Sequence, residues 1–135
     1  MYAGGKPHRY KDACIWIMRE IVEERLNVAT DMEAIQEVLY RYGAIGQLKI
    51  GVTMANALLE LVPVIYPVAV EDMRRAIDLF QTYGPKGVTP RDTVHAAVMM
   101  NRKIKEIIST DSHFDLIEGI TRLDPETLYH NRGKK

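Results

Sequence analysis

At 135 residues, with 47% apolar and 27% charged side chains, the chain fits one globular domain with a real core, which excludes a disordered or low-complexity protein. Eighteen basic residues balance eighteen acidic ones, so no global field announces nucleic acid, and any contact with RNA or DNA has to come from a local patch. A single cysteine, Cys14, excludes an internal disulfide, and no apolar run reaches the ~20 residues that span a bilayer or forms a secretion signal, so a cytoplasmic protein is expected.

Ile15, Ile17, Met18, Ile21 and Val22 recur at helical spacing and predict an amphipathic helix from about Tyr10 to Arg25. Cys14 falls inside it and reads as a buried structural thiol. A short apolar piece, Leu26 to Ala29, precedes Thr30-Asp31-Met32-Glu33, whose Thr-x-x-Glu form predicts a capping box and a second helix ending near Gly43. Met32, Ile35, Val38, Leu39 and Tyr42 mark the apolar face of that helix. A third helix is expected over Gly46 to Leu61, a short strand over Val64 to Val68, and a fourth helix from Glu71 to Tyr83, stopped by Gly84-Pro85.

Thr89 is placed to cap the next helix with Pro90 at its first position, and Val94, Ala96, Ala97, Val98, Met99 and Met100 make this helix apolar almost all round, hence buried. Lys105 to Thr110 and Ile120 to Leu123 are the remaining strand candidates. Strands alternating with helices argue for a parallel sheet. In such a sheet, acids remote in sequence meet where the carboxyl ends of strands face the starts of the following helices, and can share a hard divalent cation.

Asp92 reads two ways. Thr89-x-x-Asp92 has capping-box spacing, and an acid in a first turn is favoured by the helix dipole, yet this helix is buried and His95 shares the face of Asp92. Asp111 directly follows a strand, where an acid adds nothing to packing and costs desolvation unless paired or bound to a cation. Asp115, four residues on, is a second ligand candidate if the segment turns helical, or else a solvated helix start. Glu37 points away from the apolar face, either as half of an exposed pair with Arg41 or as a ligand. His113 reads as a surface residue. Arg91, Arg102, Lys103 and Lys105, with Lys86 and Lys6, could hold phosphates or simply form a solvated face, and Gly4-Gly5 is too short for a phosphate loop.

Arg91-Asp92-Thr93-Val94-His95-Ala96-Ala97, then Ile108-Ser109-Thr110-Asp111-Ser112-His113-Phe114-Asp115, then Gly119-Ile120-Thr121-Arg122-Leu123-Asp124-Pro125, resembles the carboxyl half of PIN-domain ribonucleases, among them VapC-like toxins. Gln36-Glu37-Val38-Leu39-Tyr40-Arg41-Tyr42 is similar to the segment that carries the family's second acid. The resemblance implies one PIN-like α/β domain over residues 1–130, a three-layer α/β/α sandwich with a mostly parallel central sheet; the tail from Asn131 to Lys135 reads as frayed from its own composition. It further implies an acid cluster binding Mg²⁺ or Mn²⁺, endonucleolytic cleavage of RNA, and an antitoxin partner. By motif, Glu37, Asp92 and Asp111 are the catalytic and metal-site acids, Asp115 a further ligand or water-mediated contact, and Arg91 and His95 their supports. The family opens with an apolar strand ending in an acid, whereas this sequence begins at Met1-Tyr2-Ala3-Gly4-Gly5-Lys6-Pro7-His8, which is like the segment that follows. A start farther upstream, a degenerate copy, or another chain or rearrangement filling the gap are the readings of that difference. The alternative function is therefore a non-catalytic PIN-like binding module, and the unpaired strand edge suggests a homodimer.

Overall fold

Parallel pairing organises both halves of the molecule, whose structure is a computed structural model that describes residues 11–133. The expected Met1 to His8 segment, including Gly4-Gly5 and Lys6, and the tail residues Lys134 and Lys135 lie outside the described residues. The chain folds as two compact units, one comprising Met1–Tyr66 with Pro125–Lys135 and the other Pro67–Asp124.

The first unit contains α1 (Lys11–Val22), β1 (Ala29–Asp31), α2 (Met32–Ala44), α3 (Leu48–Leu61), β2 (Val64–Tyr66) and α6 (Pro125–His130). β1 and β2 pair in parallel, Thr30 opposite Ile65, and the α2–α3 hairpin supplies the long crossover that parallel neighbours require. Ile35, Val38 and Tyr42 of α2 are buried with Ala55 of α3, against Met54 and Leu58. Met32 and Leu39, which periodicity assigned to the same face, are exposed instead. Close approach of the two helices depends on Gly51, where a Cβ would lie 2.8 Å from Cβ of Tyr42. The cap of α2 is Asp31 rather than Thr30: its Oδ1 accepts from Ala34 N at 3.0 Å, while Thr30 is taken up by the strand. α6, which the sequence reading did not foresee, packs on α1, where Trp16 meets Tyr129 edge-on at 6.0 Å and the Arg132 guanidinium covers the Tyr129 ring at 3.7 Å.

The second unit contains α4 (Val70–Tyr83), a 3₁₀ turn (Gly84–Lys86), α5 (Pro90–Asn101), β3 (Glu106–Ile108), a second 3₁₀ turn (Ser112–Leu116) and β4 (Thr121–Leu123). β3 and β4 are again parallel, Ile107 opposite Arg122. Each strand is three residues long, shorter than alternation suggested. α5 is the buried element that its composition called for: Thr93, Val94, Ala96, Ala97, Val98 and Met99 are all buried. Its small side chains let α4 approach through Ala76, and the remaining core is Val88, Phe114, Ile117 and Ile120. A charged clamp closes the α4–α5 contact. Buried Asp72 accepts from Ala69 N at 2.8 Å, from Asn101 Nδ2 at 2.8 Å and from Arg102 at 3.0 Å. Burial pushes its carboxyl pKa up, but these donors outweigh that and hold it below the usual range. Among the described residues no helix is long and apolar enough to cross a membrane.

Candidate functional site

Asp92 owes its position to the start of α5. Thr89 caps the helix, its hydroxyl oxygen accepting from Asp92 N at 3.3 Å; Pro90 occupies the first turn, and the Thr93 hydroxyl donates to Pro90 O at 2.7 Å. The bland capping role of Asp92 is thus partly real on the backbone side. Its side chain does something else. Asp92 is 8% exposed, and its Oδ2 is buried without a hydrogen-bond partner. An ionised oxygen in that state is costly unless it shares a proton or meets a cation.

Asp111 arrives from the other direction, on the connection that leaves β3. It caps the 3₁₀ turn Ser112–Leu116, with Oδ1 accepting from His113 N at 2.9 Å and lying 2.7 Å from His113 Nδ1. Ser109 steadies the loop by accepting from Asp111 N at 3.0 Å. Phe114, 2% exposed, anchors the turn in the core, so Asp111 and His113 are carried by a packed element. One ligand atom each from Asp92, Asp111 and His113 lies within 4.8 Å of the others, close enough to surround one ion.

Proximity pushes the two carboxyls apart in acidity. Burial, followed by the neighbouring Asp111, raises the pKa of Asp92, and the Thr89 hydroxyl and then the proximity of His95 only partly offset this. Burial also raises that of Asp111, but the His113 backbone and ring, together with the proton shared with Asp92, outweigh it and leave Asp111 lowered. The pair behaves as one titrating unit in which Asp92 keeps the proton.

His95 is half-buried one turn after Asp92 and within electrostatic reach of it, and Arg91 is half-buried beside it in the first turn. Asp115 is directed elsewhere: both its oxygens are held by Arg122, at 3.1 and 3.2 Å, and Arg122 also donates to Ser109 O at 3.1 Å. Glu37 belongs to the first unit, where it forms the i,i+4 ion pair with Arg41 at 2.8 Å. His113, read as a surface residue, is indeed exposed, but its ring is turned onto Asp111, a contact that the sequence reading did not draw. The signal was the Asp-x-His spacing after a strand, because an aspartate that caps a tight turn draws the residue two positions on back to its own carboxylate. Gly87, in a left-handed conformation at φ 101°, lies against that ring; a Cβ there would be 3.3 Å from His113 Nε2.

Oxygen donors with one imidazole suit a hard or borderline divalent cation, and the orphaned buried oxygen of Asp92 fits such an ion. Residues 7–120 match the family model of the PIN domain. Ribonuclease VapC13 of Mycobacterium tuberculosis is 29% identical over 123 residues, covering 91% of this chain and 92% of its own. A VapC ribonuclease of Mycobacterium bovis matches with the same identity and coverage.

Proposed function

Because the chain belongs to the PIN-domain family, we propose that it is a metal-dependent endoribonuclease, the toxin of a toxin–antitoxin pair, whose active centre is built on Asp92 and Asp111. The observation that carries this reading is the convergence of two carboxylates from separate elements, one of them buried with an unpartnered oxygen. Similarity to VapC ribonucleases along nearly the whole chain supports RNA as the substrate and an antitoxin as the protein partner. A cytoplasmic location belongs to the same proposal.

Asp92 and Asp111 would hold the cation, Mg²⁺ or Mn²⁺, with His113 at the rim. Such an ion lowers the pKa of bound water, neutralises the phosphodiester and stabilises charge on the leaving oxygen. Asp111 remains ionised and is fixed by the His113 N–H, so it is the ready ligand. Asp92 has to release its proton as the cation binds, which makes affinity rise with pH. His95, one turn on, lies close enough to favour that ionised form electrostatically. Arg91 supplies a guanidinium at the same helix start for a phosphate. Glu37 enters the proposal by its motif as the further acid. Asp115 acts through Arg122, which ties the loop of Asp111 to β4.

A non-catalytic binding module is the second reading, and it is favoured by one observation: the described cluster has two carboxylates and an imidazole, where the resemblance implies at least three acids. Incubation of a defined RNA with the protein and Mn²⁺, beside Asp111→Ala, separates the two. Specific cleavage by the wild type, abolished in the variant, supports the nuclease; Mn²⁺ binding without any cleavage selects the module.

A further inference from the structure

The turn that joins α4 to α5 is seated on the segment after β3 that carries Asp111 and His113. Three contacts hold it there. The Tyr83 hydroxyl accepts from Glu118 N at 3.2 Å, Gly87 lies against the His113 ring, and Val88 is buried in the core with Phe114 and Ile117. Lys86 ends the 3₁₀ turn, which is closed by the Gly87 N–H to Gly84 O at 3.0 Å and the Val88 N–H to Tyr83 O at 3.3 Å. Its side chain is exposed, and its ammonium sits over the Tyr83 ring, 5.6 Å from the centroid. Such a contact orients an ammonium without neutralising it. Arg102 and Arg122 of the same unit are, by contrast, engaged by Asp72 and Asp115. Lys103 and Lys105 are exposed but lie at the opposite end of the unit: α5 starts at Asp92 and carries the chain about 18 Å away over its 12 residues, and Lys105 enters β3 at the end remote from Asp111.

We infer that Lys86 is a substrate-binding residue of the Asp92–Asp111 centre, its ammonium taking the non-bridging oxygens of an RNA backbone phosphate next to the one that is cut. The inference rests on RNA being the substrate proposed above. A cation held by the two carboxylates neutralises the scissile phosphate only. The next phosphate along the strand meets ground made acidic by Asp111 and Asp115 and needs a positive charge at the rim. Lysine fits that task as a compact point charge on a flexible stem, which accepts a phosphate in many orientations where a guanidinium prefers a fixed fork. The contact is to the backbone, so it is blind to base sequence. The phosphate also carries the same charge before and during the reaction, so Lys86 strengthens binding of substrate and transition state alike and acts on KM.

Fluorescence anisotropy of a short single-stranded RNA, titrated at several salt concentrations with the full chain carrying Asp92→Asn so that no strand is cut, tests the contact apart from cleavage. Adding Lys86→Ala is expected to flatten the slope of log affinity against log salt by about 0.7, the share of one phosphate on a single strand. Affinity falls by up to about fivefold, the upper end for an exposed ion pair. In the chain with Asp92 intact, assayed with Mn²⁺, Lys86→Ala raises KM by a similar factor while kcat stays within about twofold, and Lys86→Arg keeps KM near its parent's. Lys105→Ala, the same loss of charge at the far end of the unit, leaves slope and affinity in place. An unchanged slope for Lys86→Ala overturns the inference, as does an equal change for Lys105→Ala, which reports the overall field alone, or a loss confined to kcat. RNA binding with the expected slopes but no cleavage in Mn²⁺ removes the nuclease reading and keeps the contact. Cleavage indifferent to Lys86 removes the contact and keeps the nuclease, and a parent chain that binds no RNA removes both.

Discussion

Asp92→Asn is expected to make the cation-free protein more stable while it destroys the site. In the wild type the carboxyl is 8% exposed, has one oxygen without a donor, and faces Asp111. An amide of the same shape needs no proton to be neutral and can donate to Asp111, so at neutral pH the variant removes a penalty of about 1–3 kcal/mol, the range for a buried polar group left unsatisfied. For a chain of this size that is a rise in Tm on the order of 3–10 °C. The sign with pH follows from the raised carboxyl of Asp92. Below the ordinary carboxylate range both folded and unfolded chains hold the proton, and the variant gains nothing. As pH rises through that range and then through the raised value, the folded wild type is left with a proton that the unfolded chain has lost, then with an uncompensated charge, and the advantage of asparagine grows to its full size. Saturating Mn²⁺ reverses the order. A cation at a hundred times its Kd adds about 2.7 kcal/mol to the wild type and nothing comparable to the variant. Thermal melts of both proteins at acidic and neutral pH, with and without Mn²⁺, supply all four comparisons. A variant less stable than wild type without metal at neutral pH, or equally stabilised by Mn²⁺, would refute the account of the buried pair.

Asp72→Ala is expected to cost about 1.5–3 kcal/mol, because it removes the charged acceptor shared by the Ala69 amide, Asn101 and Arg102 in the α4–α5 contact, and urea denaturation reads this directly. Since its carboxyl is held low, the stabilisation from Asp72 is complete above the ordinary aspartate range and fades as pH falls through it, so the wild type loses stability in acid more steeply than Asp72→Asn. Arg122→Ala should cost about 1–2 kcal/mol by freeing Ser109 O and Asp115 together, whereas Asp115→Asn, with an exposed side chain, should cost less than about 1 kcal/mol. Glu37→Gln is expected to change stability by no more than about 0.5 kcal/mol, the worth of its pair with Arg41, while lowering RNA cleavage at least about tenfold; unchanged cleavage removes Glu37 from the site.

What could be read from the sequence was what local chemistry decides. The start of α5 is set by Thr89, Pro90 and the apolar run behind them, all within a few residues, and the helix sits where they place it. The pairing of Glu37 with Arg41 was legible for the same reason, as one alternative of a spacing rule. Parallel strands followed from the alternation of elements and appear as two pairs. What could not be read was decided by neighbours distant in sequence. Thr30 and Asp31 are equally good caps in isolation; pairing with β2 carries the strand through Asp31, opposite Tyr66, so the helix starts at Met32 and the last strand residue, not Thr30, is the one placed to cap it. Asp115 looked like a ligand because nothing local reveals that Arg122, on a strand parallel to β3, returns beside it. His113 looked like surface and its ring is indeed half exposed; that the turn folds this ring onto Asp111 depends on backbone geometry that no periodicity rule reports.

Gly87 confers a directional fragility on the lineage of this protein. Its bare backbone shares space with the His113 imidazole, and its own torsion suits few other residues. Random drift at that codon therefore meets backbone strain first: nearly every replacement strains the turn, while an added Cβ asks the ring to give way by only a few tenths of an ångström. Variation in this turn has easier entry through the ring-bearing loop itself, and a library built on it would do well to leave codon 87 fixed and diversify Ser112 and Asp115 instead.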